Sequence, residues 1–131
     1  MAKNVTDRYL LLSIYNTYYD SFCSFREGKK DRKHVNYVPI DCKLIGKKTG
    51  LHKDLVFGRL YYHLNRVHGY KKEDGSLVPF FYPKLGEDKH VINFPLLASI
   101  LADMNSNYYK FVIPLALSMT ALVISAMSIF I

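Results

Sequence analysis

The stretch that decides the fold is residues 41–70, which read DCKLIGKKTGLHKDLVFGRLYYHLNRVHGY. Asp41 can accept hydrogen bonds from the first free N–H groups of a helix, so a short helix is predicted to begin there. Gly46 allows another segment to approach this helix closely, and Gly50 suits the left-handed conformation of a helix-ending turn. The side chains expected to face the core are Leu44 and Ile45.

A second helix is predicted directly after this turn, from residue 52 to about residue 66. Its core face is an apolar series spaced by four, four and three residues, namely Val56, Leu60, Leu64 and Val67. Gly58 lies inside the helix, where glycine costs about 1 kcal/mol relative to alanine. The helix is therefore expected to be locally irregular at Gly58, or to be approached there by a partner. Gly69 is predicted to end it.

A β-hairpin is predicted after the second helix. Residues 71–76 form a turn with an Asp-Gly signal, and residues 77–82 have the composition of a strand. A second turn at residues 83–88 leads to a strand at residues 89–94. Pro79 restricts the first strand to a sheet edge or a bulge, because proline cannot donate a ladder hydrogen bond.

Further helices are predicted on both sides of this region. A first helix covers about residues 7–22, and residues 26–34 form an exposed basic loop. Pro95 suits the first turn of a helix over residues 96–104. Residues 105–107 are expected to be a short linker after that helix.

The central motif runs I45-G46-x3-G50-x5-V56-x3-L60-x3-L64 and closes on H68-G69-Y70. This order of small residue, turn glycine and spaced apolar residues resembles the helix-turn-helix of winged-helix proteins, and residues 71–94 fit the wing. The resemblance covers about residues 39–94. It implies an α+β fold with a winged-helix-like domain, and a second helix that reads DNA. The side chains nearest the major groove would then be His52, Lys53, Tyr61, Tyr62 and Asn65.

The charge of the chain favours an anionic partner. All 18 Lys and Arg residues and all 11 Asp and Glu residues precede Phe111, so the formal net charge of +7 belongs to residues 1–110. Basic side chains attract phosphates and release their counterions. Those available along the motif are Lys43, Lys47, Lys48, Lys53, Arg59, Arg66, Lys71, Lys72, Lys84 and Lys89. An anionic cytoplasmic membrane leaflet would attract the same side chains by about 1 kcal/mol each.

Residues 111–131 read FVIPLALSMTALVISAMSIFI and contain no charged side chain. As a helix they reach about 30 Å, which matches the hydrocarbon core of a bilayer. The competing interpretation is a buried core helix, but a small domain has little interior for a helix that is apolar on every face. A transmembrane helix is therefore predicted.

The flanks of this segment predict its orientation. Tyr108, Tyr109 and Lys110 suit a membrane interface with its positive side in the cytoplasm. The first residues lack the pattern of a secretory signal. We therefore predict a single-pass, tail-anchored membrane protein, with a cytosolic basic domain at residues 1–107 and a membrane interface and span at residues 108–131.

Small side chains recur along one side of the predicted span, at spacings of three, four and three. They are Ser118, Ala121, Ser125 and Ser128. Small residues let two membrane helices approach closely, so this stripe predicts packing of the span against a second copy. Small residues are also common in membrane helices that do not associate, and the pattern leaves both interpretations open.

The residue types that could take part in catalysis or bind a metal form no pattern that predicts an enzyme. The chain has no phosphate-binding loop, no dinucleotide-binding motif and no nucleophile elbow. His63 and His68 lie about 140° apart around a helix, and no carboxylate or thiol stands at ligand spacing beside them. Cys23 and Cys42 are predicted to be reduced thiols in the cytosol. No catalytic residue, metal ligand or cofactor is predicted.

These patterns leave three functional hypotheses. The first is a membrane-tethered winged-helix protein that binds nucleic acid or acts as a regulator at the membrane. The second is a membrane-anchored interaction or adaptor module, with Phe57, Tyr61 and Tyr62 beside Gly58 as an aromatic patch for a protein partner. The third is a small membrane effector that oligomerises through the span.

Overall fold

The computed structural model describes residues 4–26, 32 and 34–130, which form an α+β fold. The predicted class is confirmed, with a small antiparallel sheet and one long apolar C-terminal helix. In chain order the elements are α1 (Asp7–Arg26), β1 (Tyr37–Pro39), α2 (Cys42–Thr49), α3 (Lys53–Gly58), a π-helical segment (Arg59–Leu64), α4 (Asn65–His68), β2 (Tyr70–Lys71), β3 (Leu77–Val78), β4 (Phe81–Leu85), β5 (Asp88–Asn93) and α5 (Phe94–Phe130).

The predicted turn between α2 and α3 is confirmed in its details. Asp41 Oδ1 accepts hydrogen bonds from the N–H groups of Lys43 at 2.9 Å and Leu44 at 3.3 Å. Gly50 has a φ of 83°, in the left-handed region, and its N–H donates to the Gly46 carbonyl at 2.8 Å. Ile45 is fully buried, but the prediction for Leu44 is wrong, because its side chain is 38% exposed.

The second helix of the motif is continuous from Lys53 to His68, but its middle is π-helical. Residues at spacings of four drift by about 40° per step around a regular α-helix. The π-helical segment begins directly after Gly58, and its wider turns compensate for this drift. As a result, Val56, Leu60 and Leu64 are all fully buried. The irregularity expected near Gly58 is confirmed. Val67 is 58% exposed, so its predicted place in the core is wrong.

The three-stranded sheet has the order β1-β5-β4, and both pairs are antiparallel. Strand β1 was not predicted, because three residues ending in Pro39 carry no strand periodicity. The predicted strand at residues 77–82 is split at Pro79 and Phe80, so that β3 pairs with β2 while β4 pairs with β5. Strand β4 continues through Pro83 to Leu85, and the second turn shrinks to Gly86 and Glu87.

Arg32 corrects the prediction of an exposed basic loop over residues 26–34. Residues 27–31 and 33 lie outside the described residues, but Arg32 itself is only 6% exposed. Its guanidinium donates to four backbone carbonyls, those of Ser21 and Phe22 in α1 and those of His34 and Val35. Arg32 therefore ties the last turns of α1 to the segment that enters β1.

The chain divides into two compact units, Met1–Leu101 and Ala102–Ile131. The first unit holds the core and includes the buried beginning of α5, where Phe94, Leu97 and Leu101 contribute to it. Helix α5 is long and apolar enough to cross a membrane, and none of its most apolar stretch is buried within the protein. Residues 105–107, which were predicted to be a linker, are helical.

Candidate nucleic-acid interface

Three lysines meet at the turn between α2 and α3. Lys43 and Lys47 lie one helical turn apart on α2, and Lys53 begins α3. Together with His52 they line an open pocket of about 540 Å³, whose other lining residues are Gly46, Gly50 and Leu51. Among the residues that the structure describes, no carboxylate lines this pocket. We call these four basic residues the turn cluster.

The shape of the turn cluster depends on the contact between Gly46 and the turn. A Cβ atom on Gly46 would lie 2.5 Å from the carbonyl oxygen of Leu51, so any larger residue would push the two helices apart. His52 is fixed as the N-cap of α3, where its Nδ1 accepts a hydrogen bond from the N–H of Asp54 at 3.1 Å. The short turn therefore holds the lysines of both helices around one opening.

The lysines of the turn cluster have no internal partner in the described part of the chain. No carboxylate there lies within ion-pair distance of Lys43, Lys47 or Lys53, and all three side chains are exposed. The neighbouring Lys48 differs, because its Nζ donates to the Thr17 hydroxyl at 3.0 Å. The three lysines thus keep their positive charge available to an external anion, while His52 lies 3.6 Å from the Asp54 carboxylate and Lys48 is engaged with α1.

Two residues of the predicted nucleic-acid-binding set have partners inside the protein, namely Asn65 from the predicted reading residues and Arg59 from the predicted phosphate contacts. Asn65 Oδ1 accepts hydrogen bonds from the N–H groups of Phe80 at 2.9 Å and Phe81 at 3.0 Å, and so joins the helix to the split between β3 and β4. Arg59 donates to the Val5 carbonyl and lies 3.6 Å from the Asp7 carboxylate. Arg59 therefore fixes the residues that lead into α1.

The two predicted tyrosines lie at the outer end of a series of aromatic contacts that begins in the core. Phe81 is fully buried, and its ring centroid is 5.7 Å from that of Phe57. Phe57 stacks on Tyr61 at 5.4 Å, and Tyr61 meets Tyr62 edge-on at 4.9 Å. Tyr62 is 70% exposed. We call these four rings the aromatic ladder.

Four more of the predicted basic residues lie on α4 and on the two hairpins. Lys84 and Lys89 are direct cross-strand partners in β4 and β5, and both are exposed. Like charges in this arrangement repel, which destabilises the pair unless an anion binds nearby. Arg66 and Lys71 line a groove of about 330 Å³ between α4 and the β2–β3 hairpin.

Leu55 is a surface residue that the sequence reasoning missed. It lies on the outer face of α3 and is 59% exposed. The sequence does indicate that Leu55 is exposed, because this residue does not belong to the apolar series that contains Val56 and Leu60. An apolar residue outside the series must lie on another face of the helix.

Cys42 lies near His90, but its thiol is not activated as a nucleophile. Cys42 Sγ lies 3.9 Å from His90 Nδ1, a pairing that can activate a cysteine when the thiolate is favoured. Here burial raises the pKa of Cys42 to about 11, so the thiol is protonated at neutral pH. Within the described residues, no three His, Cys, Asp or Glu side chains are grouped as metal ligands would be.

The predicted packing residues Ser118, Ala121, Ser125 and Ser128 are all exposed on α5. The Ser128 hydroxyl donates to the Ser125 carbonyl at 2.8 Å, so it is satisfied within its own helix. The stripe therefore offers close approach through small side chains rather than through this hydroxyl.

Comparisons of the chain with protein-family models, with curated proteins and with solved structures found no match.

Proposed function

We propose that this protein is a membrane-tethered, winged-helix-like module that binds nucleic acid through the turn cluster. The observation that carries the proposal is that Lys43, Lys47 and Lys53 line one pocket, and that no carboxylate in the described part of the chain lines it. Helix α5 would act as the tether and keep the basic unit in the cytoplasm, because Lys110 adjoins the uncharged stretch on that side.

The mechanism of binding is electrostatic. Each phosphate that a lysine neutralises releases a counterion, and the logarithm of affinity then falls by about 0.9 per tenfold rise in salt for each contact with duplex DNA. Three contacts at the turn cluster predict a slope of about −2.7, which is about a 40-fold loss of affinity between 50 and 200 mM salt. Further phosphate contacts, on α4 and along the hairpins, would come from Arg66, Lys71, Lys84 and Lys89.

The test is a salt titration of binding to a fluorescein-labelled 20-bp duplex, with the full chain in micelles of a nonionic detergent. Lys47→Gln should reduce the salt slope by about one contact. Lys48→Gln is the matched control, because it removes the same charge from the next residue but from a side chain already bonded to Thr17. Absence of salt-dependent binding at low ionic strength would refute the proposal. Vesicles with anionic lipid, tested in parallel, measure attraction to the membrane surface.

A second candidate function is an adaptor that binds a protein partner. The specific observation in its favour is the apolar outer face of the second motif helix, where Leu55 and Val67 are both more than half exposed. An adaptor would lose its partner when Val67 is replaced by Ser, while the salt slope for nucleic acid would stay unchanged, because this substitution alters no charge and lies outside the turn cluster and the aromatic ladder. Crosslinking in detergent with Val67→Ser as the comparison distinguishes the two functions.

A further inference from the structure

The outer face of the second motif helix has few groups that could read a base pair. Its exposed residues are Lys53, Asp54, Leu55, Tyr61, Tyr62, His63, Arg66 and Val67. Reading in the major groove depends on side chains that hydrogen-bond to base edges, such as arginine and asparagine. Asn65 and Arg59 are engaged inside the protein, and His63 Nε2 lies 3.7 Å from the Asp7 carboxylate. The charged side chains that remain exposed on this face are Lys53, Asp54 and Arg66, and the Asp54 carboxylate lies 3.6 Å from His52 Nδ1. Half of this exposed face is instead aliphatic or aromatic.

The aromatic ladder connects an exposed ring to the core through successive ring contacts. Tyr62 contacts Tyr61, which stacks on Phe57, which in turn packs on the buried ring of Phe81. A ring braced in this way loses little conformational freedom when a ligand binds, and this favours affinity.

Gly58 leaves space beside the same ring. A Cβ atom at Gly58 would have the Tyr62 ring as its neighbour at 3.8 Å, and glycine provides no side chain there. A flat ligand can therefore approach the ring from the direction of the preceding helical turn. The exposed side chain of Leu55, one turn further back, continues this apolar surface.

We propose that the nucleic acid bound by this protein is single-stranded, with unpaired bases stacked on Tyr62 and phosphates held by the turn cluster. This inference rests on the proposed function and names its ligand class. Single-strand binding combines a basic surface with exposed aromatic rings and needs no reading of base edges. Lys53 and Tyr62 are nine residues apart on one helix, about 13 Å along its axis, and lie on different faces of it, so a bound strand must pass around the helix as well as along it.

The experiment compares three labelled ligands by fluorescence anisotropy at 50 mM salt: a 20-nucleotide thymidine strand, a 20-nucleotide uridine strand and a 20-bp duplex. The full chain in nonionic detergent is used throughout. The strands should bind at least tenfold more tightly than the duplex. The ratio between the two strands distinguishes DNA from RNA as the source of unpaired bases.

Substitutions at the ring give the sharper test. Tyr62→Leu should weaken strand binding by about 5- to 150-fold, which is the range for loss of one base–aromatic stack. It should change duplex binding less than twofold, and Tyr62→Phe should retain strand binding. Tyr9→Leu is the matched control, because Tyr9 is an exposed tyrosine on α1 outside the aromatic ladder.

The outcomes separate this inference from the proposed function. If the duplex binds with a steep salt dependence and the strands bind no better, the single-strand inference is overturned and the proposed function stands. If Tyr62→Leu leaves strand binding unchanged, stacking on Tyr62 is likewise overturned. If none of the three ligands binds at 50 mM salt, the proposed function itself fails.

Discussion

Replacement of Asn65 by alanine tests whether this residue is structural. Its side-chain oxygen accepts hydrogen bonds from the N–H groups of Phe80 and Phe81, both of which are fully buried residues. Asn65→Ala leaves two buried donors without an acceptor, and each costs about 1–3 kcal/mol. We therefore expect the free energy of unfolding to fall by about 2–6 kcal/mol. The lower value corresponds to a melting temperature lower by about 8–16 °C for a domain of this size.

The assay is urea and thermal unfolding of the full chain in detergent. Near-ultraviolet circular dichroism should be used, because the chain has 11 tyrosines and no tryptophan and the tyrosine signal reports side-chain packing. Asn65→Asp is the matched control: its carboxylate still accepts both bonds, so most of the stability should remain at pH 7. A loss below about 0.5 kcal/mol for Asn65→Ala, as at an ordinary surface position, would refute the structural role.

Two further predictions concern the glycines and one histidine. Gly46→Ala should lower stability by about 1–3 kcal/mol, because the added methyl group meets a backbone carbonyl at 2.5 Å, whereas Gly58→Ala should raise it by about 0.5–1 kcal/mol through helix propensity. Urea titrations that gave both variants the same sign would contradict this contrast. Burial lowers the pKa of His68 below 6.5, so below pH 6.5 the unfolded chain binds the proton more readily and stability falls. His68→Gln should reduce the loss of stability between pH 7.5 and 5.5, and an unchanged loss would count against burial as its cause.

Local signals in the sequence predicted the parts of the fold that depend on neighbouring residues. The cap at Asp41, the left-handed turn at Gly50 and the irregularity near Gly58 are all confirmed. Each depends on the conformational preference or hydrogen bonding of residues within about one helical turn, so a single sequence is sufficient to find it.

Two errors arose from features that local patterns do not show: a contact between residues far apart in the chain, and an irregular helix. Residues 26–34 have the composition of an exposed loop. Arg32 is nevertheless buried, because it donates hydrogen bonds to the carbonyls of Ser21 and Phe22, which lie 11 and 10 residues away in the chain. The π-helical segment moved Val67 to the surface, because widened turns change the face on which later residues lie. Periodicity assumes a regular helix and could not anticipate this.

By itself, the sequence determined the uncharged C-terminal helix, the paired helices with their tight turn, and the excess of basic residues. These depend on composition and spacing alone. Only the tertiary structure decided which polar side chains remain available to a partner. It engages Asn65, Arg59 and Lys48 in internal hydrogen bonds, while it leaves the turn cluster and Tyr62 open to the surface. The physical reason is that a long-range hydrogen bond requires two distant segments to meet, and only the folded packing of those segments specifies this.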